Sequence, residues 1–387
     1  LLQCGRLFCI GNGMKFDRNE WSGAFGDIGT DFPLIVGMIL AAGLDSASVL
    51  VTFGVMQIFT GSFYKMPMPI QPLKAMATIV ITQKISPNIL YGGGLAIGIS
   101  MLLLNITKLI DWISRVVPKA VIRGIQLGLG IKLGLLALQD YVIADGVAGY
   151  YLAAAAFLLA IFLIGNRKYP PAIFIIMLGM FYAFIFKVDA HSFINAVGIH
   201  LPQIHTPTWA DILTGFLILT IPQIPLSIGN SILATNQIAN DWYPKHTVTI
   251  RKISYTFSLV NLINPFFSGI PTCHGSGGIV GHHTFGGRTG GSVIIYGCLY
   301  IFLGLFLSQG FDTLVHIFPL PILGILLLFE SLGLMLLVQD VTDSKSSFMI
   351  ALLVGLISGG IQYGFVIGLF VGTLIYYATA KGLTGLN

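Results

Sequence analysis

Apolar positions in this chain come in runs of membrane length separated by short polar breaks. A helix needs about 20 predominantly apolar residues to cross the hydrocarbon core of a bilayer. Runs of that kind cover residues 21–42, 46–63, 88–106, 119–138, 150–165 and 171–186, and then 209–235, 252–267, 292–307, 319–338, 346–359 and 363–380. Two further stretches, at 65–84 and 269–291, stand where a span is due but do not have its pattern.

In the first, KMPMPIQPLKAMATIVITQK, Pro67, Pro69 and Pro72 forbid a continuous helix, because each removes a backbone donor and its ring clashes with the preceding turn. Met68 to Ile70 is expected to be extended, with Pro72 in the first turn of a new helix, where proline is tolerated. In the second, GIPTCHGSGGIVGHHTFGGRTGG, a proline and a glycine cluster replace the span. Pro271 to Cys273 is expected to be extended, and a helix to start near Gly275 or Ser276 and run through His282. Every backbone N–H and C=O in hydrocarbon needs a partner, so such interruptions are tolerated only where the backbone is buried in protein or lines a polar cavity. A half-helix that begins inside the membrane presents unpaired N–H groups carrying partial positive charge, and such an end favours an anion.

Counting each interrupted stretch as one span gives fourteen, divided by a polar, His-bearing connector at 188–207 in which an interfacial helix is expected. Each half then has seven spans, with the third broken by proline. VIRGIQLGLG in span five and PILGILLLFE in span twelve put Gly124 and Gly324 at corresponding places. An odd number of spans per repeat inverts the second repeat across the membrane. The expected fold class is therefore an all-α polytopic membrane protein, a 7+7 inverted repeat with broken helices three and ten, each preceded by a short extended segment.

Composition removes the soluble alternatives: the 387 residues are 55% hydrophobic and 9% charged, with mean hydropathy +0.87. Charge gives an orientation. Fifteen Lys and Arg side chains, from Arg6 to Lys381, fall in loops on the side of both termini, against Lys84 and Lys187 opposite, so both termini are expected in the cytoplasm. Cys4, Cys9, Cys273 and Cys298 have no paired spacing that would support a disulfide framework or a zinc knuckle. Leu1 to Gly13 lacks a basic segment followed by an apolar one, so no signal peptide is expected, and Met14 reads as the natural start.

Inverted repeats would bring the two half-helix ends to one cavity near the midplane, each worth about half a positive charge. A dianion there would meet N–H donors of Gly275, Ser276 and Gly277, next to His274, on one side. On the other it would meet those of Leu73 and Lys74, following Pro72, with the side chain of Gln71 at hand. Glycine permits the close approach an oxyanion needs. In span eight Gln223, Ser227, Asn230 and Ser231 interrupt an apolar segment, and the spacing of the first three puts them on one helical face, serving either substrate or interhelical hydrogen bonds. Lys74 either attracts substrate or pairs with Asp27 or Asp31. Those two carboxylates lie one turn apart in SGAFGDIGTDFP and are candidates for coupling; the other reading is that they cap a broken helix. If Asp27 pairs with Lys74 in the empty site, an arriving oxyanion would favour proton uptake at Asp27, which predicts proton-coupled uptake. Glu330 reads either as a proton-coupling group or, the favoured reading, as a packing residue paired with Arg123 or Lys132, and Arg288 as a structural cation at the cytoplasmic end. His274 and His282 would stand about 12 Å apart by helix rise, so neither a metal nor another cofactor is expected.

GAFGDIGTDFPL, PMPIQPLK, PQIPLSIGNS and PTCHGSGGIVGHHTFGGRTGG, spread over both halves, resemble the signature segments of the molybdate transporter family, a distant branch of the SulP anion carriers. The resemblance implies a uracil-permease-like fold. Its core would comprise 21–106 and 209–308 and its gate 107–187 and 309–380, with a cytoplasmic segment 1–20, a connector 188–208 and a tail 381–387. It also implies molybdate uptake, at the plasma membrane, by movement of core against gate. SulP carriers usually end in a cytoplasmic STAS domain, whereas this chain stops at Asn387 just after the last span, so regulation through such a domain is not expected. The expected partners are molybdate or a related oxyanion and the lipid bilayer, with a homodimer as a possible assembly and no nucleic acid; enzyme activity is not expected. A sulfate or broader oxyanion carrier is the nearest alternative, since the same donors would serve any tetrahedral dianion. A nucleobase–proton symporter on this fold would be expected to carry acidic residues within spans eight and ten, whereas span ten has none and span eight has only Asp211, at its very start. An intramembrane metalloenzyme would use Cys273 and the histidines, and an anion channel would show flux that fails to saturate.

Overall fold

The computed structural model describes residues 14–110, 112, 116–163, 171–186, 198–308 and 318–383. Expectations that concern residues 1–13 with Cys4 and Cys9, Arg115, the turn at 166–168, Lys187, the connector at 188–197 and the last residues to Asn387 lie outside the described residues.

Helices dominate, as the apolar runs require. Among the described residues six are long and apolar enough to cross a bilayer: Ser46–Tyr64, Pro87–Ile106, Lys119–Tyr141, Gly146–Leu163, Trp209–Trp242 and Leu320–Val341. Arg18–Ala24 and Ile28–Ala42, bent by 42° at the break that holds Asp27, make a seventh span together, and Pro171–Phe186, Gly291–Phe306, Lys345–Gly360 and Gly364–Ala380 are shorter apolar helices. The chain is an integral, multi-pass membrane protein. Large apolar side chains such as Phe162, Phe181 and Leu374 point outward, as they must where the surrounding solvent is lipid.

Both interrupted stretches fold as a short strand followed by a half-helix. Strand β1, Ile70–Pro72, leads into helix Lys74–Gln83, and strand β2, Thr272–His274, leads into helix Ser276–Thr284. The strands pair antiparallel, with Ile70 opposite His274, Gln71 opposite Cys273 and Pro72 opposite Thr272. The first extended piece therefore lies two residues beyond the expected Met68 to Ile70, and Pro72 closes the strand instead of opening the helix. Its missing N–H leaves no gap, because the next one, of Leu73, donates to the Pro271 carbonyl at 3.1 Å and carries the pairing one residue further. β2 starts at Thr272 and not at the expected Pro271, whose carbonyl accepts this bond but which has no N–H to return.

A two-stranded sheet has two open edges, which hydrocarbon does not tolerate. Here each is closed by a side-chain carboxamide. Gln57, on Ser46–Tyr64, donates to the Ile70 carbonyl at 2.8 Å and accepts the Ile70 N–H at 3.0 Å. Asn261, on Ile250–Ile263, donates to the Thr272 carbonyl at 2.6 Å and accepts the Thr272 N–H at 2.9 Å. The helix just before each strand thus supplies the missing neighbour in both halves of the chain.

Ser46–Tyr64 runs along Gly291–Phe306, close enough that a Cβ added to Gly54 would lie 2.5 Å from the Gly297 carbonyl oxygen. Ile250–Ile263 packs on Pro87–Ile106, while Lys119–Leu136 packs on Lys345–Gly360 and Leu320–Leu336. The long helix Trp209–Trp242 outruns the expected 209–235 and contains π-helical turns at Phe216–Thr220 and Ser227–Ala234, on either side of Pro222 and Pro225, which cannot donate within a helix. The described part of the connector, 198–207, has no helix. It is a strap whose backbone is satisfied by the helices it crosses: His200 N–H donates to the Leu305 carbonyl at 2.9 Å, Gln203 N–H to Ser48 Oγ at 2.8 Å and His205 N–H to the Phe266 carbonyl at 2.9 Å.

Candidate functional site

A cavity of about 330 Å³ opens where the two half-helices begin. Gln71 and Lys74 reach it from the first, Cys273, Gly275, Ser276 and Gly277 from the second, and Gln223, Asn230 and Ser231 from Trp209–Trp242. The opposite wall is made by Arg123 and Gln126 of Lys119–Leu136 and by Glu330 of Leu320–Leu336.

Strand alternation decides which residues face the cavity. Gln71 and Cys273, the central residues of their strands, line it. Pro72 and His274 do not, and the expectation of His274 beside the substrate is corrected accordingly: its Nε2 shares a 2.7 Å hydrogen bond with Thr256 Oγ1 and its ring stands edge-on to Tyr64 at 5.5 Å. Leu73 is buried away from the cavity with its N–H committed to Pro271. Ser227 is also off the wall, where it accepts a hydrogen bond from Gln223 Nε2 at 3.1 Å. The face expected from ordinary helical spacing is re-aimed by the π-helical turn, which brings Ser231 to the cavity beside Asn230.

The two half-helix ends differ. At the first, Gln223 Oε1 accepts the N–H groups of Ala75 and Met76 at 3.0 and 3.2 Å, so the end is capped by a side chain from another span. At the second, Gly275 is the N-cap without a side-chain cap, and among the described residues the N–H groups of Ser276 and Gly277 have no acceptor. They face the cavity. A Cβ on Gly275 would fall 1.5 Å from Gln71 Oε1, and one on Gly278 would fall 2.8 Å from Asp27 Oδ2. Gln71 lies over this glycine run and its Nε2 meets both Asp27 carboxylate oxygens, at 2.7 and 2.6 Å.

The ion pairs also differ from those expected. Lys74 pairs neither with Asp27 nor with Asp31; its Nζ is 2.7 Å from Glu330 Oε1. Glu330 pairs with neither Arg123 nor Lys132, and its second oxygen accepts from Thr30 Oγ1 at 3.3 Å. Arg123 is held by Asp340 and donates to Gln126 Oε1 at 2.8 Å, while Lys132 lies over the Phe365 ring at 5.1 Å. The reason is geometric. Gln71 stands between Asp27 and the cavity, whereas Glu330 enters the cavity wall directly opposite Lys74. Asp27 and Asp31 are buried and neither lines the cavity. Arg288 donates from Nη1 to the His283 and Gly287 carbonyls at 2.5 and 2.8 Å, at the end of Ser276–Thr284.

Arg123, Gln126 and Glu330 were not expected at the site. Their signal in the sequence is that all three are polar residues inside apolar spans, a feature that marks functional positions. Arg123 Nε and Gln126 Nε2 are buried with no acceptor among the described residues. Unsatisfied donors of that kind are rare, and two on one cavity wall favour an acceptor-rich ligand. The cavity thus combines two backbone N–H groups, two cations on facing walls and further amide donors, which suits a small polyoxygenated anion.

A family profile described as "Molybdate transporter of MFS superfamily" matches residues 19–133 and 215–334. "Molybdate transporter 1" of Arabidopsis thaliana is 30% identical, covering 92% of this chain and 87% of its own length. "Molybdate transporter 2" of the same plant is 29% identical over 86% of this chain and 81% of its own. Among solved structures, the transmembrane domain of the cyanobacterium bicarbonate transporter BicA superposes with a TM-score of 0.67 at 15% identity, covering 92% of this chain and 96% of that one. SLC26A9 superposes with a TM-score of 0.69 at 13% identity, over 95% of this chain and 66% of that one. At these identities the likeness concerns the fold.

Proposed function

Since this chain belongs to the molybdate transporter family, we propose that the cavity between its two half-helices is the oxyanion site through which it carries molybdate. The observation that carries this reading is the meeting, on one cavity, of the open N–H groups of Ser276 and Gly277 with Lys74 and Arg123. Backbone donors at a helix start and a lysine opposite offer a dianion charge and hydrogen bonds, and neither strongly enough to trap it. Gln126 Nε2, which has no acceptor among the described residues, adds a further donor on the same cavity.

Around this site we propose fourteen spans in a 7+7 inverted repeat. Residues 21–106 and 209–308 would form a core that moves against a gate of 107–187 and 309–380, in a plasma-membrane transporter with cytoplasmic termini. The paired use of Gln57 and Asn261 in the two halves supports the repeat. A homodimer is compatible with this arrangement. Uptake is proposed to be coupled to protons; among the carboxylates near the site, buried Asp27 stands behind Gln71, Asp31 is buried one turn further along the same span, and half-buried Glu330 lines the cavity.

Calorimetric titration of the purified protein with molybdate, sulfate and uracil tests the reading. Saturable molybdate binding is expected, with sulfate competing for the same site. Binding of uracil with no response to either oxyanion would overturn it.

A further inference from the structure

Glu330 belongs to two cavities. Besides the oxyanion pocket it lines a second one of about 280 Å³, bounded by Phe25, Gly26, Gly29 and Thr30 of the bent first span and by Ala160, Pro171, Ala172 and Ile175 of two other spans. Glu330 stands between the two, with one carboxylate oxygen on Lys74 and the other on Thr30. It is therefore a wall made of a charged side chain, anchored on Leu320–Leu336 and attached at its tip to two elements of the other half of the chain.

Resting on the oxyanion reading of the main cavity, we propose that Glu330 is a tethered competitor of the substrate: it takes the anion's place on Lys74 when the pocket is empty and gives it up, with uptake of a proton, when the oxyanion arrives. Lys74 Nζ has one close anionic partner among the described residues, and that partner is Glu330. A dianion that takes Lys74 would face a carboxylate across the same small cavity. Like charges at that separation disfavour one another strongly in a poorly solvated site, and protonation of the carboxylate removes the repulsion. The proton comes from solution, as hydronium or a buffer acid relayed by water in the cavity, and adds to a Glu330 oxygen; the donor is left as water or as the buffer's conjugate base, and no other bond changes.

The surroundings of Glu330 agree with this exchange. From the first half-helix it faces Lys74; from the bent span, Thr30 with Asp27 and Asp31 behind it; from Lys119–Leu136, Arg123, which Asp340 already holds. The residues that Gly146–Leu163 and Pro171–Phe186 bring to the second cavity are not titratable. Lys74 is thus the cation that stabilises the charged form, and it is the one the substrate takes. Asp27, bonded to Gln71, does not lose its partner in the exchange. Release of Glu330 from Lys74 also frees the wall between the two cavities, so arrival of the anion and opening of the partition become one event.

The test is molybdate titration of the purified full-length protein in two buffers of different ionisation enthalpy, repeated across a pH series. Wild type is expected to take up close to one proton per molybdate bound, with affinity falling about tenfold per pH unit on the alkaline side. Glu330→Gln is expected to bind at least as tightly as wild type does at acidic pH, with no proton uptake and a flat pH profile. Thr30→Val, which removes the hydroxyl donor to the Glu330 carboxylate, should move the pH midpoint upward, and Thr30→Ser should restore it. Wild-type binding without proton uptake, proton uptake that persists in Glu330→Gln, or a midpoint unmoved by Thr30→Val would each overturn the proposal. A wild type that binds no oxyanion at any pH would instead remove the oxyanion reading on which it rests.

Discussion

The starts of helices Lys74–Gln83 and Ser276–Thr284 are built to one plan and finished differently. Both follow a three-residue strand of the same sheet, and both would leave their first N–H groups unpaired in the middle of a membrane. At the first, proline-rich end the donors of Leu73, Ala75 and Met76 are consumed, by Pro271 and by Gln223, and a lysine is mounted there instead. At the second, glycine-rich end the donors stay open and the short backbone approach is kept free of side chains. One end contributes charge on a flexible stem, the other fixed hydrogen-bond geometry. The contrast explains why the expectation of two equivalent helix ends was half right: the plan is repeated, the chemistry divided.

Removing the charge should have the largest effect on this division. Lys74→Met is expected to weaken molybdate binding by about 100-fold, near 3 kcal/mol, since it deletes a charged contact and leaves Glu330 buried without its cation. Lys65→Met, a cation outside the cavity, should change little in the same titration. Equal affinities in the two variants would show that Lys74 serves structure alone.

A smaller effect is expected from filling the glycine end. Gly275→Ala would drive Gln71 off Asp27, because its Cβ has no room beside Gln71 Oε1, and a loss of about tenfold in affinity should follow, equivalent to one hydrogen bond to a charged group. Gly277→Ala would bring its Cβ only to ordinary contact, 4.0 Å from Gln71 Nε2, and should lose less. The reverse order would mean that Gln71 is free to move and does not shape the site.

An effect of similar size, read in stability and not in affinity, tests the closed end. Gln223→Leu leaves the Ala75 and Met76 N–H groups without an acceptor, and a stability loss of about 1–2 kcal/mol is expected in denaturant unfolding of the detergent-solubilised protein. If instead molybdate binds more tightly with stability unchanged, the two ends are interchangeable and the contrast above is wrong.

What the sequence made legible was covalent and local. Pro67, Pro69 and Pro72, and the glycines from Gly275 onward, constrain the chain wherever they stand, so the two interruptions could be placed within two residues. Side-chain partners over long separations were not legible. Lys74 and Glu330 are 256 residues apart, and Ala75 and Gln223 are 148 apart; which groups meet across such distances is set by how whole helices pack. The spacing of Gln223, Ser227 and Asn230 misled for a different reason. It assumes 3.6 residues per turn, and the segment is wound more loosely. Glu20 shows the same limit near the start of the chain: its buried carboxylate accepts the N–H groups of Arg288, Thr289 and Ser292 at 2.9, 2.9 and 3.0 Å, a cap on Gly291–Phe306 that no local pattern announces.

The two carboxamides that close the strand edges also determine where a moving carrier has no play. Gln57 and Asn261 rivet the floor of the cavity to two spanning helices through four hydrogen bonds, so the strands cannot slip by one residue without breaking those bonds together. If the chain works by the proposed movement of core against gate, a joint of that kind would belong to the part that travels and not to the part that bends. A fit made to the oxyanion on one side of the membrane would then be carried unaltered to the other, and discrimination between anions, once exercised, would not have to be exercised again.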